Sequence, residues 1–254
     1  MKHGLPADKV LPAAFGAPGP ETIYVDKSNP AAYANEMGRY RTERQLGFVL
    51  RFLSDRRLRI LDIGGGFGRL AAPLADLGHE VTVVDEGEQA VKSLVEQNHP
   101  RIKAVHCNIL SFEPATRFDL ALAVDTIKYM TGVPLPELFS KFRRFLVPEG
   151  TFILAEMNTN SWRYKIARRL GRSSVYNIDS HGGYMAALQK SRFKVVGASG
   201  SHWIPFCYNS NSFLVKHFAR LEKMLRLERW ISQSSWVMIA AQNGESAMAD
   251  PIKA

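Results

Sequence analysis

Apolar residues fall into two rhythms along this chain, and the rhythms alternate. Short apolar runs at 58–63, 80–85, 103–106, 118–124 and 151–155 predict strands. The fourth is almost wholly apolar, as a strand covered on both faces must be. Segments with apolar positions three and four apart predict helices over 31–54, 69–77, 88–97 and 135–146. The first carries Leu46, Val49, Leu50 and Leu53 on one face with Ser28 or Asn29 placed to start it, and Gly78 is placed to stop the second. Strand followed by helix, repeated, implies right-handed crossovers and an α/β fold with a doubly wound parallel sheet. Its ligand crevice should open at the C-terminal ends of the strands. Further on, 181–190 predicts a helix, 193–196 a sixth strand and 236–241 a last strand. Between those two strands, residues 202–235 contain an amphipathic basic helix over 213–231.

One domain accounts for the chain. Residues 1–55 form an N-terminal arm and helix, the arm being rich in Pro, Ala and Gly without period. Residues 56–200 form the α/β core, 201–235 a basic helical insertion, 236–242 the last strand and 243–254 a tail. The 254 residues suffice to bury a core, and 46% apolar against 22% charged residues is a globular balance. Two cysteines, Cys107 and Cys207, are too few for a disulfide framework or a Cys-built zinc site and suit a reducing compartment. Residues 1–20 lack the apolar core of a signal peptide, and no run approaches the ~18 apolar residues of a spanning helix. A cytoplasmic protein, at most peripheral to a membrane, is expected.

Charge changes this picture only when divided. Residues 1–156 hold 19 Lys and Arg against 19 Asp and Glu, whereas 157–254 hold 14 against 5, so the whole net charge of +9 lies in the C-terminal part. Such a part suits an anionic partner: a phosphorylated substrate, a membrane surface or nucleic acid.

Candidate chemistry begins at Ile60-Leu61-Asp62-Ile63-Gly64-Gly65-Gly66-Phe67-Gly68, which closes the first strand and opens a helix. A dinucleotide fingerprint G-x-G-x-x-G counted from Gly64 would need glycine where Arg69 stands, which disfavours NAD. The stretch instead resembles the first motif of the class I S-adenosylmethionine-dependent methyltransferases, an acid at the strand end followed by G-x-G-x-G, here Asp62, Gly64, Gly66 and Gly68. The cofactor's methionine end carries an ammonium and a carboxylate but no phosphate, so an acid beside small residues fits it. Asp85 ends the second strand 17 residues after Gly68, where such folds bind ribose hydroxyls. Asn108 stands where the family usually has an Asp for the adenine amino group, and its amide oxygen can accept that bond. Phe118 to Asp125 resembles the family's fourth-strand motif, with Asp125 at the crevice. Phe145 to Thr151 resembles its L-x-P-G-G turn, with Glu149 replacing one glycine. The resemblance covers about residues 45–198 and the last strand. It implies a Rossmann-like seven-stranded sheet, mostly parallel, with the last strand inserted antiparallel between the fifth and sixth.

The acceptor is less legible. Methyl transfer is an in-line displacement, so the protein mainly positions the nucleophile, and a base is needed only for a protonated one. The sequence after the fourth strand, Asp125-Thr126-Ile127-Lys128-Tyr129, lacks the signature of adenine or amide nitrogen methylation, and Cys107 follows the wrong strand for pyrimidine carbon chemistry. His181 and His202 follow the fifth and sixth strands and could deprotonate a hydroxyl. Tyr129 could orient the substrate. Asp125 with Glu156 or Asn158 could offer oxygen ligands to magnesium, although no metal is assigned. The segment 162–172, with Arg163, Lys165, Arg168, Arg169 and Arg172, would suit a phosphate. The 213–231 helix sets Leu214, Phe218, Leu221 and Leu225 on one face beside Lys216, Arg220, Lys223 and Arg226, as an interfacial helix does. The expected function is methylation of oxygen, with nitrogen second, on a small-molecule or lipid-linked acceptor, phosphorylated or a glycan. An RNA methyltransferase and a catalytically idle cofactor-binding partner protein are the alternatives.

Overall fold

A seven-stranded sheet in the order β3-β2-β1-β4-β5-β7-β6 organises the computed structural model, which describes residues 34–170, 177–204, 206 and 210–244. The strands are β1 (Arg59–Ile63), β2 (Glu80–Asp85), β3 (Ile102–His106), β4 (Phe118–Val124), β5 (Leu146–Met157), β6 (Phe193–Ser201) and β7 (Trp236–Asn243). The first five pair in parallel, and β7 runs antiparallel to both β5 and β6, the arrangement the resemblance implied. Side chains alternate across the sheet with period two. Leu61, Ile63, Ala121 and Ala123 face one core with Phe139, Phe142 and Phe152. Ile60, Leu120 and Leu122 face the other with Leu46, Phe48 and Leu74. Strand order reverses between β1 and β4, and the crevice at that switch is where the site assembles.

Helices α1 (Glu36–Val49), α2 (Ala71–Asp76), α3 (Glu88–Gln97), α4 (Leu135–Arg144), α5 (Trp162–Arg169), α6 (His181–Lys190) and α7 (Leu214–Met224) connect or cover these strands. Several bounds differ from expectation for physical reasons. Helix α1 begins at Glu36, capped by Asn35, whose side chain accepts from the Gly38 amide. The expected starters Ser28 and Asn29 lie outside the described residues, as do the rest of the arm, Arg172, Cys207 and the end of the tail. Strand β5 starts earlier than expected, because Leu146 pairs with Phe118 before a bulge that takes in Pro148, Glu149 and Gly150. The expected 213–231 helix ends at Met224. Arg226 turns to a left-handed φ of 51°, and two 3-10 turns carry the chain onward. Those turns keep apolar residues three apart, so periodicity alone could not separate them from the helix. Segment 162–169, read only as a basic run, is a helix capped by Ser161.

Candidate active site

The turn after β1 is built for close approach. Gly64, Gly66 and Gly68 all take left-handed φ values, of 64°, 53° and 81°. A methyl group on Gly64 would fall 1.9 Å from Thr126 Oγ1. The turn is held from below and from the side. The Gly64 amide donates to the Val84 carbonyl at 2.7 Å. Asp85 Oδ2 accepts from the Gly66 amide at 2.8 Å and its Oδ1 from the Gly87 amide at 2.7 Å. Asp85 therefore clamps the glycine turn to the start of α3, while each of its oxygens keeps a lone pair for a further donor. Asp62 lies under the same turn, 3% exposed, and a methyl group on Gly65 would meet its Oδ2 at 2.6 Å. No hydrogen bond reaches its carboxyl among the described residues. Burial pushes its pKa up to about 7, against the pull of Arg69.

The end of β4 is the reverse case. Asp125, at a left-handed φ of 61°, gathers the Arg41 guanidinium, Lys128 Nζ at 2.9 Å, Trp236 Nε1 at 3.0 Å and Gln45 Nε2 at 3.2 Å, with Arg69 at 3.9 Å. Burial opposes its charge, yet Arg41, Lys128 and Arg69 together hold its carboxyl far below the usual range. Lys128, 1% exposed, also lies 3.8 Å from Glu156, which is fully buried and accepts from the Lys128 amide at 3.3 Å. Burial moves Glu156 upward, toward its neutral form. Arg41, Lys128 and Arg69 thus converge on Asp125, with Glu156 beside them inclined to neutrality. Gln45, 4% exposed, keeps its Oε1 without a partner among the described residues. It is an open acceptor beside the same cluster.

The remaining expected residues are spread around this centre. Asn108 is exposed, and its Oδ1 accepts from the Leu110 amide at 2.7 Å. Tyr129 is exposed, with Lys128 Nζ 5.4 Å from its ring centroid. His181 opens α6, its amide donating to Asn158 Oδ1 at 3.1 Å, and burial lowers its pKa. His202 is 2% exposed rather than open to the crevice, its ring stacked 5.2 Å from that of Trp236 and its Nε2 3.2 Å from the Phe206 carbonyl. Burial pushes its pKa down to about 3. Asn158 spends its amide on the carbonyls of Ile231, Ser232 and Ser234. With Asp125 wrapped in cations, Glu156 buried beside Lys128 and the Asn158 Oδ1 accepting from the Asn160 and His181 amides, the oxygens considered for magnesium are engaged within the chain. Arg41, Gln45, Lys128 and Trp236 went unread. Arg41, Gln45 and Trp236 come from 84, 80 and 111 positions away from Asp125, with no local pattern to announce them. Lys128 did have a signal, a basic residue three positions after a strand-end acid.

Sheet order, glycine turn and strand-end acids together define the fold of the class I S-adenosylmethionine-dependent methyltransferases. Residues 60–150 match the family model described as a methyltransferase domain. That segment is similar to a methyltransferase domain, and the fold is the one the class I S-adenosylmethionine-dependent methyltransferases share. Among curated relatives, a ubiquinone biosynthesis O-methyltransferase of Bradyrhizobium diazoefficiens is 30% identical over 109 residues, and one of Rhodopseudomonas palustris 31% identical over 109 residues. Each match spans 42% of this chain and 42% of the relative, well under two thirds of its length. Among solved structures, the N-methyltransferase NodS from Bradyrhizobium japonicum WM9 with S-adenosyl-L-homocysteine aligns at TM-score 0.55 and 17% identity, covering 84% of this chain and 90% of that one. Magnesium protoporphyrin IX methyltransferase from Synechocystis PCC 6803, with the same molecule bound, aligns at TM-score 0.58 and 11% identity, covering 82% and 84%. At these identities the structures attest the fold.

Proposed function

We propose that this chain is an S-adenosylmethionine-dependent methyltransferase that methylates an oxygen, with nitrogen second, of a small-molecule or lipid-linked acceptor carrying an anionic group. The observation that carries the reading is Asp62, a buried carboxyl with no hydrogen-bond partner among the described residues, set under a turn of left-handed glycines. A buried carboxylate without a hydrogen bond is costly, and an incoming ammonium would supply one. Asp85 would hold the ribose hydroxyls with its remaining lone pairs, and Asn108 would accept from the adenine amino group. Arg41, Arg69 and Gln45 face the region where the methionine end or the acceptor's anion would lie.

When bound, the cofactor supplies an electrophilic methyl on a positively charged sulfur. The chain's own contribution is to orient the acceptor oxygen and receive its proton. His181 suits the receiving role, since it is half-buried, burial favours its neutral form, and neutral imidazole is the form that accepts a proton. Buried His202 serves instead as a packed neighbour of Trp236, and Tyr129 borders the crevice as an orienting group. An oxygen acceptor accords with the O-methyltransferase activity for which those relatives are named. The anionic group accords with the basic C-terminal part. A cytoplasmic location with peripheral membrane contact belongs to the same reading and leans on that basic part. Among the described residues no helix is long and apolar enough to cross a membrane.

The test is calorimetric titration with S-adenosylhomocysteine and NAD, followed by transfer of labelled methyl to a fractionated cell extract. Binding of the first and not the second is expected, with label entering a small or lipid-extractable product. Tighter NAD binding would sink the cofactor reading. Label confined to RNA would replace the acceptor.

A further inference from the structure

Helix α7 makes its main contacts away from the sheet. It packs on α1 and on the turn that follows it, and only Val215 and Glu222 of its residues are buried. At 100° per residue, Leu214, Phe218, Leu221 and Leu225 form one stripe, and all four are exposed, Leu225 to 55%. Lys216, Arg220 and Lys223 fall on the opposite side rather than beside the stripe as expected, exposed and without an ion pair among the described residues. The helix has one acid, Glu222, and it is turned inward. Its Oε1 accepts from the Trp203 and Ile204 amides at 2.6 and 2.9 Å, and its Oε2 from the Tyr40 hydroxyl. The outer surface of α7 is therefore apolar and cationic with no negative charge.

Neighbouring segments extend the same character. Phe213, Met224 and Trp230 are each about two-thirds exposed or more, at 67%, 72% and 66%. Phe206 meets Phe218 edge to face at 5.5 Å, and Arg163 of α5 donates to the carbonyls of Ile204 and Phe206. This ties α5, with its exposed Lys165, Arg168 and Arg169, to the α7 surface. A watery surface for its own sake would not keep so many large apolar side chains together. At 11 residues α7 is too short to cross a bilayer, but it has the build of a helix that lies in the headgroup layer.

We propose that α7, with the adjoining end of α5, docks on an anionic lipid surface, its leucine stripe entering the acyl boundary and its cations meeting lipid phosphates. Charge complementarity selects this occupant over a neutral bilayer or an apolar protein groove. The inference deepens the lipid-linked acceptor reading and rests on it for its purpose, but the surface itself is independent of turnover.

Flotation of the full chain with phosphatidylcholine vesicles, with and without phosphatidylglycerol, tests it. Binding to the anionic vesicles alone is expected, weakening as salt is raised. Replacing Leu221 and Leu225 by Asp should cut vesicle partition about tenfold or more. The triple change Lys216→Gln, Arg220→Gln, Lys223→Gln should do the same by a separate route. Both variants should retain wild-type melting and wild-type affinity for S-adenosylhomocysteine. Equal binding to neutral vesicles, no vesicle binding, or variants that bind as the wild type does would overturn the proposal. So would a wild-type dimer that the Asp variant dissolves with no lipid association, or full competition by inorganic phosphate, which would mark a free-anion site. Retained vesicle binding without binding of S-adenosylhomocysteine would sink the enzyme reading and leave this one standing.

Discussion

Asp62 and Asp125 close adjacent strands of one sheet, are buried to similar depth, and have opposite chemistry. Asp62 has no hydrogen-bond partner for its carboxyl among the described residues, and burial moves it toward neutrality near pH 7. Asp125 has three cations and two neutral donors around it and stays ionised far below the ordinary range. The difference lies in who completes each group. Asp125 is satisfied by its own chain, so it organises the crevice and ties α1, β4 and β7 together. In the proposed function, Asp62 is completed by the cofactor's ammonium. A strand-end acid in this fold is thus a scaffold or a ligand according to its neighbours, and residue type alone does not say which.

The largest expected effect breaks the comparison on the scaffold side. Asp125→Ala would leave Arg41 and Lys128 buried without their acceptor, and should destabilise folding by about 3–5 kcal/mol in urea unfolding. Asp62→Asn should cost less than about 1 kcal/mol, since it removes a charge that burial already disfavours. Equal costs would mean that the two acids are not different in kind.

This contrast also marks what sequence could and could not show. Strands β2 and β4 and helices α3 and α6 were legible to the residue, because each has its own period and its own stop. The glycine turn with Asp62 and Asp85 was legible because its parts lie within one strand-turn-helix and the next strand. The α1 and β7 partners of Asp125 were not, since those elements reach it only through the fold. Nor could sequence decide between core and surface for α7, where a leucine stripe looks alike in both. His202 read as an open base because it follows a strand end. In the fold that position is closed over by Trp236 and Tyr40.

Next in size is the clamp that shapes the ligand side. Asp85→Ala removes acceptors from the Gly66 and Gly87 amides and, in the proposed function, from the ribose. Affinity for S-adenosylhomocysteine should fall by about 1.5–3 kcal/mol, the scale of hydrogen bonds to a charged group. Unchanged affinity in calorimetry would leave Asp85 as a loop clamp only.

The two acids should also answer pH with opposite signs. The folded pKa of Asp62 is raised above its unfolded value, so its contribution to stability is fully present below about pH 4 and is lost as pH climbs through about 7. That of Asp125 is depressed, so its contribution is present above about pH 4 and is lost as pH falls further. Between pH 5 and 7 the Asp62 slope should approach about 1.4 kcal/mol per unit, and Asp62→Asn should flatten it. Cofactor affinity should run the other way, rising up to about tenfold per unit toward pH 7 as the carboxylate forms, and again flattening in Asp62→Asn. A wild-type stability curve matching that of Asp62→Asn would remove the basis for calling Asp62 open.

The smallest effect isolates backbone from contact. Asp125 and Glu149 both hold a left-handed φ of 61°, a conformation that costs a residue with a Cβ about 1–2 kcal/mol. At Asp125 the side chain has its partners to offset that cost. Glu149 is exposed and makes no ion pair among the described residues, and it stands where the family's L-x-P-G-G turn has glycine. Glycine there would relieve the strain but enlarge the unfolded chain's freedom by about 0.5–1 kcal/mol, so Glu149→Gly should stabilise by about 0.5–1 kcal/mol net. For a chain of this size that is about 2–4 °C per kcal/mol in thermal melting. Asp125→Gly, at the same φ, should melt far lower. If Glu149→Gly also melts lower, then Glu149 makes a contact that its exposure conceals, and the left-handed turn before β5 is held by its side chain rather than in spite of it.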